Sequence, residues 1–246
     1  MYQYAAAEFA IPEATRLETT TGSLAEALSY ALDMTEGQPR GHSIRACWIG
    51  TFVALAAGMR EQALRDCYYA VLMKDLGCSS NAARVAELFL GDDRQLKHAF
   101  KLLGPDAADF VTFIEHSVGQ SAPADQRCDA IGVLLADAGP ILNGFIETRC
   151  SQGATIARRL RFSEEVALGI AALDEHWDGQ GMPNGTAGEA IPLIARVALL
   201  AQVADVFFMV GGRELARAEV AARSGTWLDP TLVTLFLELG EDASFW

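Results

Sequence analysis

The sequence predicts an all-α protein. Apolar residues recur at three- and four-residue spacing through most of the chain, Gly, Pro and Ser/Asn breaks close the segments so marked, and no stretch alternates with period two for long enough to propose a sheet. With 246 residues, 51% of them hydrophobic, the chain can bury a sizeable core.

The elements follow in order. Residues 1–22 lack a clear period and are expected to be irregular. Ser23-Leu24-Ala25-Glu26 reads as a capping box that opens a helix to about Met34. Gln38-Pro39-Arg40-Gly41 breaks it, and a second helix runs to Gly58 with Ile44, Trp48, Ile49, Phe52, Val53 and Leu55 as its apolar face. A third spans about 60–76, turns Leu64, Cys67, Tyr68, Val71 and Leu72 inward, and stops at Gly77, after which Ser79-Ser80-Asn81 is expected to cap the next. Four more are expected at about 81–90, 92–103, 106–117 and 125–137. Gly139-Pro140 starts another, which should bend near Cys150 to Gly153 and run to about Arg161, and Ser163 should cap one reaching Trp177. Pro192 suits the first turn of a long apolar helix to Val210; Gly211-Gly212 ends it, Glu214 to Arg223 follows, and Asp229-Pro230 opens the last, to Leu239.

Nineteen basic against 32 acidic residues give a net charge of -13, which argues against nucleic acid and anionic membrane surfaces as partners. The five cysteines are odd in number and include no CxxC pair, so they read as buried free thiols of a reducing cytoplasm. No basic-then-apolar leader and no uncharged run of spanning length is present, so no membrane association is expected.

Chemistry-bearing residues are few. His42, in Gly41-His42-Ser43-Ile44-Arg45, opens one helix, and Asp75, in Lys74-Asp75-Leu76-Gly77-Cys78, closes the next; a hairpin would bring imidazole and carboxylate together. Asp205 lies in the apolar run Leu199 to Phe208 and needs a metal, a cation or a hydrogen-bond network as partner. His98 and His116 read as structural or surface residues. Leu173 to Gly185 combines Asp174, Glu175, His176 and Trp177 with three glycines and a proline, the backbone of a functional loop.

The ordered blocks Gly41 to Arg45, Lys74 to Gly77, Glu175 to Gly185, Glu189 to Arg196 and Val203 to Phe207, with Gly225 to Pro230 at the end, resemble HD-GYP domains over roughly residues 23–240. The resemblance implies an HD-superfamily helical bundle with the additional HD-GYP helices and an apparent helical insertion at about 90–140; the tail at 241–246, ending on Phe245 and Trp246, reads as a truncation point in a longer regulator. In active members it implies a two- or three-metal centre hydrolysing cyclic di-GMP.

The ligand pattern departs from that family. Lys74 stands where the histidine of the His-Asp pair belongs, Cys78 replaces a lysine, Arg149 best matches the single histidine between the main motifs, Leu173 and Asp174 replace a His-His pair, and Met182 replaces the tyrosine. His42, Asp75 and Asp205 remain in register as remnant metal ligands. The expectation is a non-catalytic regulatory module whose lost metal charge is replaced by Lys74 and Arg149, with no cofactor. The alternative is a metal-dependent phosphohydrolase cleaving cyclic di-GMP or a related phosphodiester, with iron or manganese at a rebuilt site and Asp75 and Lys74 in catalytic roles. Lys74, Arg149, Arg45, Gly179, Gly181, Met182 and Pro183 are the expected ligand-binding residues, with cyclic di-GMP or another nucleotide, a signalling protein or a second copy of the chain as partner.

Overall fold

The computed structural model describes residues 21–104 and 107–246, leaving aside the side chains of 21–26 and 107–108. The reading of residues 1–20 as irregular, and the side chains of the Ser23 capping box, lie outside the described residues. Eleven helices are present among them: α1 Thr21–Thr35, α2 His42–Ala56, α3 Glu61–Leu72, α4 Ala82–Phe89, α5 Asp93–Phe100, α6 Ala107–Ser117, α7 Ala124–Ala136, α8 Ala138–Arg159, α9 Glu164–Ala171, α10 Leu193–Ala222 and α11 Pro230–Leu239. The described residues hold no strand, only an isolated bridge between Ser224 and Leu228.

Helix α10 is the axis of the molecule, packed against α2, α3, α9 and α11. It is long and apolar enough to cross a membrane by composition, yet 72% of its most apolar stretch is buried inside the fold, where it acts as the core helix. Val197, Leu200 and Ala204 of α10 meet Val53 of α2, Val71 of α3 and Ile170 of α9 in the main core. A second, smaller core joins α4 to the start of α8 through Phe89, Leu96, Phe113, Ile114 and Leu134.

Several boundaries differ from expectation for physical reasons. Helix α1 already includes Ser23, so that residue does not cap it. In α2 the buried side is His42, Ser43, Ala46, Cys47, Ile49, Gly50, Val53 and Ala54, while Ile44 and Trp48 are exposed. Helix α3 stops at Leu72, with Tyr68 exposed, and turns lead to a 3₁₀ turn at Cys78–Asn81 that makes no side-chain cap for α4. Helix α8 continues without a break through Cys150 to Gly153, and Gly153 lets it lie against the Gly77 backbone. Ser163 does cap α9, accepting from the Val166 amide at 3.3 Å, but that helix ends at Ala171. Gly211 and Gly212 kink α10, which resumes to Ala222.

Candidate functional site

The site begins at the N-terminus of α2. Gly41 takes a left-handed conformation there, and the cap comes from α1: Asp33 accepts from the amides of Gly41 at 2.7 Å and Ser43 at 2.9 Å and from the Ser43 hydroxyl at 2.7 Å. This fixes His42, wholly buried, facing Asp205 of α10. His42 Nδ1 lies 2.6 Å from Asp205 Oδ2, and Arg45 grips the same carboxylate through Nε at 2.6 Å and Nη2 at 3.1 Å.

Beyond α3, Lys74 and Asp75 come in from the opposite side. The Lys74 ammonium donates to His42 Nε2 at 3.0 Å and to Asp75 Oδ2. The network therefore assigns the proton of His42 to Nδ1, donated to Asp205, and leaves Nε2 as acceptor. Burial and the Lys74 charge push this imidazole down to about 4. Asp75 is held well below the usual carboxylate range: burial opposes this, but the Lys101 and Lys74 ammonium groups outweigh it.

A second group of charges adjoins the first. Lys101, the C-cap residue of α5, bridges Glu36 at 2.7 Å and Asp75 at 3.5 Å, and Cys78 Sγ sits 3.6 Å from Asp75 Oδ1. Arg149 of α8 pairs with Asp174, which also accepts from Cys150 Sγ at 3.4 Å. Arg149 reaches this place because α8 passes close to Gly77, where a Cβ would collide with the Arg149 carbonyl.

The glycine loop forms the far wall. Glu175, buried, accepts from the amides of Asn184 at 2.9 Å and Thr186 at 2.8 Å, so one carboxylate closes the loop on itself. The Trp177 and Asp178 amides donate to the carbonyls of Trp227 at 3.1 Å and Thr226 at 2.9 Å, tying the loop to the segment before α11. His176 stacks on Trp227 with centroids 4.5 Å apart and planes at 20°, and burial pushes its imidazole down to about 4.

Between these walls is a cleft of about 170 Å³ lined by Lys101, Arg149, Asp174, His176, Met182 and Trp227 among others. Gly181 also lines it; Gly179 and Pro183 shape the loop without lining the cleft, and the Met182-Pro183 bond is cis. Arg45 and Lys74, expected to meet a ligand, instead serve Asp205 and the His42–Asp75 pair and do not line the cleft. Lys101, Glu36, Gln202 and Trp227 were not singled out by the sequence; the one available signal was a lysine on the inserted segment, and nothing local marks it as facing Asp75.

The HD domain family model matches residues 141–232. The chain is 46% identical over 218 residues to a Vibrio cholerae protein named 3'3'-cGAMP-specific phosphodiesterase 3, covering 89% of this chain and 47% of that one. The chain is an HD-domain protein of the HD-GYP type. A further relative from V. cholerae, named cyclic di-GMP phosphodiesterase, is 36% identical over 88 residues, 33% of this chain and 17% of its own length. A crystal structure of a cyclic GMP-AMP specific phosphodiesterase from V. cholerae superposes with a TM-score of 0.67 at 42% identity, over 90% of this HD-domain chain and 49% of that one. The chain thus spans about half the length of these first matches.

These findings correct two expectations. The departures at Lys74, Arg149, Leu173 and Asp174 read as a non-catalytic module, but a chain 46% identical across 89% of this one is named a phosphodiesterase, which favours an enzyme. The expectation of no cofactor falls with it, since hydrolysis in this family, as the resemblance implies, runs on divalent metal. The physical reason is that matching residues to motif positions tests only one donor arrangement. That arrangement does not fit a metal here: the Lys74 ammonium stands at the point shared by His42 Nε2 and Asp75, and Asp205 is taken by His42 and Arg45. Ligand atoms of Glu36, Asp75 and Cys78 also lie within 4.8 Å of one another, but the Lys101 ammonium already fills that cluster.

Proposed function

We propose that this chain forms part of a metal-dependent phosphodiesterase that hydrolyses cyclic dinucleotides, with 3'3'-cGAMP as first substrate and cyclic di-GMP as second. The observation that carries this reading is the 46% identity sustained over 89% of the chain. The cleft supports it: in a chain of net charge -13, Lys101 and Arg149 converge beside the stacked His176–Trp227 pair, cations for a phosphodiester next to an aromatic wall for a base. In the reaction water adds to phosphorus and one ring P–O bond breaks, leaving a linear dinucleotide with a terminal phosphate. A divalent ion would supply an acidified water and offset developing charge, and its donors would have to lie outside the His42–Asp75 position that the Lys74 ammonium fills. The residues of the chain hold the phosphate against Lys101 and Arg149 and exclude bulk water with the Met182 and Trp227 side chains. The cytoplasm is retained as its compartment on the support of five free cysteines.

The test is incubation of the protein with 3'3'-cGAMP and Mn²⁺ or Fe²⁺, following the linear product by chromatography. Turnover well above a metal-free control is expected. No product from any cyclic dinucleotide offered would overturn the reading.

A further inference from the structure

We propose that Gln202 reads the adenine of 3'3'-cGAMP: its carboxamide pairs with the donor–acceptor edge of that base inside the cleft and sets the preference over cyclic di-GMP. The proposal rests on the cyclic-dinucleotide reading above and names the residue that chooses between the two ligands.

Gln202 belongs to α10 and lines the 170 Å³ cleft. It is 7% exposed, yet its Oε1 is buried without a hydrogen-bond donor, and its Nε2 donates to no protein group among the described residues. A buried amide oxygen in that state is rare, because it forfeits its hydration without compensation. The cations of the same cleft are differently placed: Lys101 holds Glu36 and Asp75, and Arg149 holds Asp174. The amide has no such partner, so what answers it comes from outside the chain.

Its surroundings limit what that is. Leu199, Val203 and Val206 line the cleft from the same helix, and Met182 and Ile146 line it from other segments, so an apolar wall carries one carboxamide. Such a wall suits a flat ring that brings one donor beside one acceptor. Adenine does so, since its exocyclic amine donates and a neighbouring ring nitrogen accepts, the pairing glutamine makes with this base in nucleic-acid complexes. The side chain can turn its amide over without changing shape, so the ligand decides which end faces inward.

Guanine fits less well on either edge. One edge offers two acceptors, which leave the Gln202 oxygen as unmatched as before. The other carries a carbonyl, a ring N–H and an exocyclic amine; the amide satisfies two of them and strands the third donor in an apolar wall. A stranded polar group discriminates more strongly than a missing contact. Size agrees, because a dry cavity of about 150 Å³ admits a benzene ring, and the open 170 Å³ cleft takes one base and not two. The stacked His176 and Trp227 supply its aromatic side.

The experiment is calorimetric titration with 3'3'-cGAMP and with cyclic di-GMP, without added metal so that neither is consumed, on the unaltered chain, Gln202→Leu and Gln202→Glu. The unaltered chain should bind 3'3'-cGAMP more tightly. Gln202→Leu should weaken 3'3'-cGAMP by about tenfold or more, in the range of a bidentate pair, and cyclic di-GMP by less than about threefold. Gln202→Glu, which keeps the shape and loses the donor, should weaken 3'3'-cGAMP likewise. Melting temperature separates this role from a structural one: an amide with an unmatched oxygen adds little to the fold, so Gln202→Leu should melt no lower than the parent. Equal losses for the two nucleotides, unchanged or absent binding of 3'3'-cGAMP, or a clearly lower melting temperature overturns the assignment. Selective binding through Gln202 without hydrolysis on adding Mn²⁺ or Fe²⁺ leaves this role standing and overturns the phosphodiesterase reading. Hydrolysis that stays as selective in Gln202→Leu as in the parent does the reverse.

Discussion

The glycine loop lines the cleft and the buried cluster of His42, Arg45, Lys74, Asp75 and Asp205 does not, and the two hold their shape by different means. In the loop, Glu175 satisfies the amides of Asn184 and Thr186 and the Trp227 and Thr226 carbonyls take two more, so the frame is made of backbone. In the cluster, His42, Arg45, Lys74, Asp75 and Asp205 satisfy one another through side chains alone. A backbone frame does not depend on the side chain at Met182, whose amide donates to the Asp174 carbonyl at 2.9 Å. A side-chain network does depend on each member: one lysine in place of a histidine decides where every neighbouring proton and charge sits.

That contrast can be broken from the cluster side first. Asp205→Ala leaves the His42 Nδ1 proton and Arg45 without their carboxylate, inside a wholly buried position. Removing one partner of a buried pair costs about 3–5 kcal/mol. Urea denaturation should show a midpoint lowered accordingly with the slope unchanged; a loss under about 1 kcal/mol would mean that water reaches His42.

The loop should lose less. A Cβ at Gly181 would overlap the His176 nitrogen and the Asp174 carbonyl, both backbone, so Gly181→Ala must shift the loop. The cost should lie in the roughly 1–3 kcal/mol range of overpacking. Because the helices are untouched, the effect should read as a lowered melting temperature and a disturbed Trp fluorescence from Trp177 and Trp227, with helical content preserved.

A third test uses pH, and it touches both regions. His42 and His176 are each held down to about 4 from an ordinary 6.5. Between those values the unfolded chain binds protons that the folded chain refuses, so stability falls as pH drops from 6.5 toward 4. Each imidazole contributes a slope of at most about 1.4 kcal/mol per pH unit. Thermal melts across that window should show the decline, and His176→Gln should flatten it by up to half; an unchanged slope would show that His176 is hydrated in the fold.

Much of the fold was legible from local pattern. Glycine and proline breaks placed α4 to α7, and Asp229-Pro230 marked the start of α11, where Asp229 does accept from the Thr231 amide at 2.8 Å. The buried face of α2 was not legible, because that helix is apolar nearly all round and spacing alone cannot say which side its neighbours cover. The site was half legible. The motif order led to His42, Asp75, Asp205 and Arg149, but Lys101 and Glu36 carry no local signal, being a lysine at the end of a charged helix and an acid in a turn.

By itself, then, the sequence determined the all-α class, the positions of its breaks and the glycine frame at Leu173 to Gly185, because helix periodicity, capping and left-handed turns depend on residues a few positions apart. Only the tertiary structure decided that Lys74 joins His42 to Asp75, that Arg45 meets Asp205 across 160 positions, and that Lys101 joins Glu36 to Asp75. Those outcomes depend on which charges α10, α5 and α8 bring into one dry volume, and burial makes each charge take whatever partner packing supplies.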